Sequence, residues 1–271
     1  MAPGLSGPDQ AATAPDPSGP ARPPPRTALV TGATSGIGAA VARRIGAEPG
    51  WRLVVSGRDP ARLDEIAELT SAVALRADLA TSAGIERLVS DALDAVGHID
   101  LVVSAAGLGW AGPLPLMPSA AVDEVLTVNL TATAHLLRLV LPGMLEARRG
   151  QIVLVGSTAG TYGVRDEVVY SAAKAGVEAL ADSLRYELRD TGVRVLHVVP
   201  AAVDTPFFER RGTPYTRAVP RPQAPERVAD ALWDAVIHGR EEIFVPRWLG
   251  LPRRLRGMAP GIFRRLASRF G

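Results

Sequence analysis

The 271-residue chain contains no cysteine. Disulfides, cysteine-ligated zinc and a thiol nucleophile are thereby excluded. Lysine is almost missing: Lys174 is the sole lysine among 30 basic residues. The four histidines, His98, His135, His197 and His238, show no H-x-x-x-H spacing and no clustered carboxylates, so no metal site is expected. No apolar run reaches the roughly 18 residues that span a bilayer. The first residues lack the charged and apolar regions of a signal peptide, so the expected compartment is the cytoplasm. A net charge of +2 gives no field for a general nucleic-acid partner.

What is present changes character along the chain. Residues 1–26 hold eight prolines among Ala, Gly and Ser. With almost no large apolar side chains, such a segment cannot offset its ordering entropy and is expected to be a disordered leader. Residues 27–246 alternate short apolar runs with amphipathic stretches, the pattern of β-α units around a parallel sheet. Strands are predicted at 28–31, 52–56, 72–76, 101–104, 151–155, 193–199 and 242–245. Helices are predicted at 37–47, 60–69, 82–96, 119–147, 168–190 and 225–238. The predicted fold is a single α/β domain, a Rossmann-type doubly wound parallel sheet of about seven strands with helices on both faces. Its chemistry belongs beyond the C-terminal strand ends.

After the first strand, Thr31-Gly32-Ala33-Thr34-Ser35-Gly36-Ile37-Gly38 opens a helix. Glycines there allow a tight turn and close backbone approach, and the helix N-terminus offers free N–H groups to a pyrophosphate. Arg58 stands 20 residues after Gly38, where an acid would hold the adenosine ribose hydroxyls and a cation suits a 2′-phosphate. NADP(H) is therefore favoured, with NAD(H) possible. Asp59, followed by Pro60, reads better as a helix cap than as that acid.

These residues resemble the short-chain dehydrogenase/reductase family over 27 to about 246. The resemblance rests on Thr-Gly-x-x-x-Gly-x-Gly at 31–38, Asp78-Leu79, Asn129, Ser157, Tyr170-x-x-x-Lys174 and Pro200 through Thr205. It implies Asn129, Ser157, Tyr170 and Lys174 as the catalytic set. It places the cofactor on Gly32, Thr34, Ser35, Gly36, Ile37, Gly38, Asp78, Leu79, Ala106, Gly107, Pro200, Val203 and Thr205, with Tyr170 and Lys174. Two departures stand out. The family's Asn-Asn-Ala-Gly is Ser104-Ala105-Ala106-Gly107, which removes amides that brace the sheet, and the usual Gly after the proline is Ala201.

The residue chemistry agrees with that set. Tyr170 and Lys174, at i and i+4, share a helix face. A nearby ammonium is expected to draw the phenol toward the working range. The family role of Lys174 adds a grip on the nicotinamide ribose. Arg does not replace a compact, rotatable ammonium, so Lys174→Arg is expected to lose most activity. Ser157 would steady the substrate oxygen as charge develops. In the family the corresponding Asn interrupts its helix and holds a water, which implies that Asn129 supports a proton relay from Tyr170 through the ribose and Lys174 to solvent; a helix-packing amide is the alternative.

The implied activity is hydride transfer between nicotinamide and a carbonyl or secondary alcohol. The rival is a catalytically silent dinucleotide-binding regulatory or scaffold protein. Trp110, Tyr162, Phe207 and Phe208 are expected to form an apolar pocket for a lipophilic substrate; lid or core packing would use the same residues. Relatives pair the helices corresponding to 119–147 and 168–190, which implies a homodimer or homotetramer. Residues 247–271 interleave arginines with large apolar side chains. Such a basic amphipathic extension can lie on an anionic membrane surface, or pack over a neighbouring subunit or substrate site.

Overall fold

The short apolar runs form seven strands: β1 (Arg26–Thr31), β2 (Trp51–Gly57), β3 (Val73–Arg76), β4 (Leu101–Ser104), β5 (Gly150–Val155), β6 (Val193–Pro200) and β7 (Glu242–Val245). The computed structural model describes residues 25–217, 219–261, 263 and 265. All strands run parallel in the order β3-β2-β1-β4-β5-β6-β7. The chain winds outward from β1 to β3, then returns to place β4 on the other side of β1. That reversal opens a crevice at the C-terminal ends of β1 and β4. The expected leader, 1–26, lies outside the described residues except for its last two, and β1 already pairs Arg26 with Trp51.

The helices are α1 (Gly36–Gly46), α2 (Pro60–Thr70), α3 (Ser82–Val96), α4 (Ser119–Leu126), α5 (Ala132–Glu146), α6 (Thr158–Tyr162), α7 (Val168–Glu187), α8 (Phe207–Arg210), α9 (Pro225–Ile237) and α10 (Gly250–Met258). Two apolar cores form because adjacent strand residues point to opposite faces. On one face Val30, Val55 and Val103 pack with Ile45 of α1 and Leu232 and Trp233 of α9. On the other, Leu29, Val102 and Ile152 meet Leu88 of α3, Leu136 and Met144 of α5, and Val177 of α7. Both sheet faces are covered, which is why the central strands read as continuous apolar runs.

The helix predicted over 119–147 is interrupted by a π-helical segment at Thr127–Thr131, around Asn129, where the family resemblance implies a break. Two local outcomes were not read from the sequence. The short helices α6, α8 and α10 were not anticipated. Within the 28 helical residues Ser119–Glu146 a window reaches a mean hydropathy of 1.3, apolar and long enough by composition alone to cross a membrane, although polar residues interrupt the run. Its Leu136, Leu137, Val140 and Met144 are committed to the core.

Candidate active site

The crevice holds a cleft of about 440 Å³. Its floor is the turn after β1. Gly32 adopts φ +68°, and a Cβ there would lie 2.7 Å from the Ala106 backbone. A Cβ on Gly38 would lie 2.2 Å from the Gly32 carbonyl. Any side chain at either position would fill the space in which backbone approaches backbone, so the glycines are required by packing as well as by ligand access. Thr31 Oγ1 accepts from the amides of Ala105 at 3.3 Å and Ala106 at 3.4 Å, fixing the turn against β4.

Ser157 follows β5 as the N-cap of α6, where its hydroxyl accepts from the Ala159 amide at 3.1 Å. Tyr170 and Lys174 occupy the first two turns of α7, both buried. Ser157 and Tyr170 both face the cleft. Burial pushes the Tyr170 phenol well above the usual tyrosine range; the Ser157 hydroxyl and the Arg211 charge oppose the rise, and Glu167 adds to it. The expectation that the ammonium dominates is thus corrected: desolvation wins, with Lys174 Nζ 5.9 Å from the Tyr170 ring centroid. The phenol keeps its proton at neutral pH. Burial pushes the Lys174 ammonium down to about 8. Lys174 Nζ donates to the Val155 carbonyl at 2.9 Å, which leaves donors for a ligand.

The π-helical segment explains Asn129. Its side-chain amide donates to the Val125 carbonyl at 2.9 Å and the Leu108 carbonyl at 2.8 Å. Its Oδ1 is buried without a partner on the protein. A Cβ on Gly107 would lie 2.7 Å from that Oδ1 and 3.6 Å from Lys174 Nζ. The amide and the ammonium therefore converge on one spot, where an acceptor starved of a donor suits a water. Ser104 Oγ meets Thr133 Oγ1 at 3.0 Å, and Thr133 Oγ1 donates to the Asn129 carbonyl at 3.1 Å. This hydroxyl chain ties β4 to the helix, in place of the amides missing from Ser104-Ala105-Ala106-Gly107.

Of the expected cofactor residues, Gly32, Thr34, Ser35, Gly36, Ile37, Gly38, Arg58, Asp78, Leu79, Ala106, Gly107, Pro200, Val203 and Thr205 all line this cleft. Arg58 is 63% exposed and sits 3.6 Å from Glu124. Asp59 accepts from the Arg62 amide at 3.2 Å, the capping role. Arg62 also lines the cleft. Its place in the first turn of α2, four residues after Arg58, was the available signal.

Phe207 and Phe208 line the cleft as expected. Phe207 lies 5.2 Å from Tyr170 between ring centroids. Trp110 and Tyr162 do not line it. The Trp110 indole is tucked beneath the loop at Gly112. Tyr162 turns away, donating its hydroxyl to the Leu249 carbonyl, with its ring 5.7 Å from Phe263. Sequence reasoning missed the ion pair between Arg211 and Glu167, both buried. Arg211 also sits 4.7 Å over the Phe208 ring. Glu167 is the N-cap residue of α7, so the pair fastens the segment bearing Phe207 and Phe208 to the helix bearing Tyr170.

The glycine cradle, the empty Asn129 acceptor and the buried ammonium fit a nicotinamide dinucleotide. A parallel sheet carrying these features at its switch point defines a dinucleotide-binding oxidoreductase scaffold. Residues 26–215 match the family model described as short chain dehydrogenase, and the chain belongs to the short-chain dehydrogenase/reductase family. A putative ketoacyl reductase of the granaticin polyketide synthase from Streptomyces violaceoruber is 40% identical over 190 residues, covering 68% of this chain and 70% of that protein. A Burkholderia phymatum family member solved with NAD superposes with a TM-score of 0.80 at 25% identity, covering 88% of this chain and 95% of that one. A Sphingobium yanoikuyae short-chain dehydrogenase in complex with NADPH gives 0.76 at 29% identity, covering 87% and 95%. The chain is an oxidoreductase of this family, whose solved members include complexes with NAD and with NADPH.

Proposed function

We propose that the protein is an NADP(H)-dependent reductase of a lipophilic carbonyl compound, or dehydrogenase of the matching secondary alcohol, with Tyr170 as general acid and base. The observation that carries this reading is the convergence of Ser157 with the buried Tyr170 and Lys174 on one cleft, at the mouth of the glycine cradle. A bound nicotinamide supplies the hydride for reduction and takes it for oxidation. The rest falls to the chain. Ser157 donates to the substrate oxygen and holds it beside the phenol, a preorganised donor where negative charge develops. Tyr170, kept protonated by burial, delivers its proton to that oxygen. Lys174 donates a proton in turn, and its head group, converging with Asn129 on Gly107, leads the deficit toward solvent. In oxidation each proton moves the other way.

The cofactor preference is supported by Arg58 and Arg62 at the cleft wall, two cations positioned for a 2′-phosphate. The lipophilic substrate is supported by Leu108, Val164, Phe207, Phe208 and Tyr215 in the same cleft. A homodimer or homotetramer, implied by the family, completes the reading, and sedimentation of the purified protein measures it. The test of mechanism is Tyr170→Phe on a carbonyl panel with NADPH. Loss of a positioned acid should lower turnover by about 10²–10⁴-fold, with a far smaller change in NADPH affinity. Turnover equal to wild type on an accepted substrate refutes the role of Tyr170.

A further inference from the structure

The segment after β7 breaks the usual rule for a surface helix. Arg253 of α10 turns toward the domain, pairing with Glu178 of α7 at 3.0 Å and with Glu242 of β7. Leu249 is buried, and its carbonyl takes the Tyr162 hydroxyl. The helix is therefore pinned by its charge. Its large apolar side chains face out: Leu251 is 63% exposed, Leu255 40% and Met258 86%, with Trp248 just before them at 49%. At roughly 100° per residue, Leu251, Leu255 and Met258 fall within an arc of about 60°. A helix that turns an arginine in and leucines out is built to meet a second apolar phase.

The flanking charge identifies that phase. Residues 246–271 contain seven arginines and no Asp or Glu. Among the described residues, Arg247, Arg254 and Arg256 are exposed and form no ion pair. A two-fold contact with another copy would set arc against arc, bringing two such cationic arms together with no acid in either to offset them. An anionic lipid surface offers the opposite, hydrocarbon for the arc and phosphate for the arginines. We propose that α10 and the residues before it dock the protein on an anionic bilayer surface, with Trp248, Leu251, Leu255 and Met258 entering the interface and Arg247, Arg254 and Arg256 at headgroup level.

The experiment is co-sedimentation of the full-length protein with vesicles of phosphatidylcholine alone and of phosphatidylcholine mixed with phosphatidylglycerol. Wild type should pellet with the mixed vesicles and stay in solution with the neutral ones. Leu251→Ser, Leu255→Ser and Met258→Ser combined should weaken binding at least about tenfold. Melting should be unaltered, because these side chains are exposed. Arg247→Glu, Arg254→Glu and Arg256→Glu combined should abolish the preference for the mixed vesicles. Wild type left in solution with both vesicle types overturns the proposal, as does undiminished binding of the serine variant. Sedimentation in which the serine changes split a wild-type dimer that ignores vesicles would assign the arc to a second copy instead.

Discussion

Replacing Lys174 with methionine should make the cofactor-free protein more stable and inactive. The ammonium is buried, and its pKa falls from 10.5 to about 8. At neutral pH the folded state therefore holds a charge that the unfolded chain solvates freely, and that shift corresponds to about 3 kcal/mol against folding. Methionine keeps much of the aliphatic stem but leaves the Val155 carbonyl, now accepting at 2.9 Å, without its donor, a loss of about 1 kcal/mol. The net gain is about 2 kcal/mol near pH 7, or roughly 5 °C in melting temperature for a domain of this size. Between about 8 and 10.5 the folded wild type has released a proton that its unfolded chain still binds, so wild-type stability rises with pH across that window. The methionine variant lacks this group, so its advantage should shrink there, vanish at about 9.5 and become a deficit of about 1 kcal/mol above 10.5. Paired melting curves at pH 7 and at several values up to 10.5, taken without cofactor, measure the difference, in which all other titrations common to both proteins cancel. A variant less stable than wild type at pH 7, or an advantage independent of pH, refutes the idea that burial of the ammonium destabilises the fold.

Arg58→Ala should weaken NADPH binding by about tenfold, the scale of one charge-assisted contact, and leave NADH nearly unchanged; equal losses in titration calorimetry would remove the 2′-phosphate assignment. Glu167→Gln should destabilise the protein by about 3–5 kcal/mol, because it strands the buried Arg211 guanidinium. Glu167→Leu with Arg211→Met should recover much of that loss in chemical denaturation. Failure of the double replacement to recover stability would show that the pair is not the source of the cost.

The sheet was legible because its strands are buried on both faces and flanked by turn residues, so period and length both separate them from helices. Every predicted strand falls within two residues of its observed bounds. Helix α6 was not legible: five residues after Ser157 are too few to show a period. The break in the long helix over 119–147 came only with the family resemblance at Asn129, and periodicity hid it for a different reason. A π-helical segment inserts one extra residue into a turn without changing composition, and only the polar Asn129 among Val128, Leu130 and the apolar residues beyond hinted that a backbone bond there goes to a side chain.

Within the site, residues whose role follows from backbone position were readable, since Ser157, Tyr170 and Lys174 sit at fixed distances from strand ends and along one helix face. What could not be read was the balance of forces at those positions. The ammonium and the phenol suggested attraction, yet which effect sets the Tyr170 proton depends on how completely β5, α7 and the segment bearing Phe207 exclude water, and burial is a property of the packed molecule. The same holds for the arginines. Arg211 and Arg253 each stand next to another arginine, Arg210 and Arg254, and nothing in the sequence separates the inward member of a pair from the outward one. The structure separates them by their partners: Glu167 for Arg211, and Glu178 with Glu242 for Arg253. Those glutamates are 44 positions before Arg211, and 75 and 11 before Arg253, so only the fold brings them together. One inward arginine ties the aromatic segment to the helix bearing Tyr170, and the other anchors α10 with its apolar side outward; charge placement acts with the burial of Phe207 and Leu249 to orient both segments.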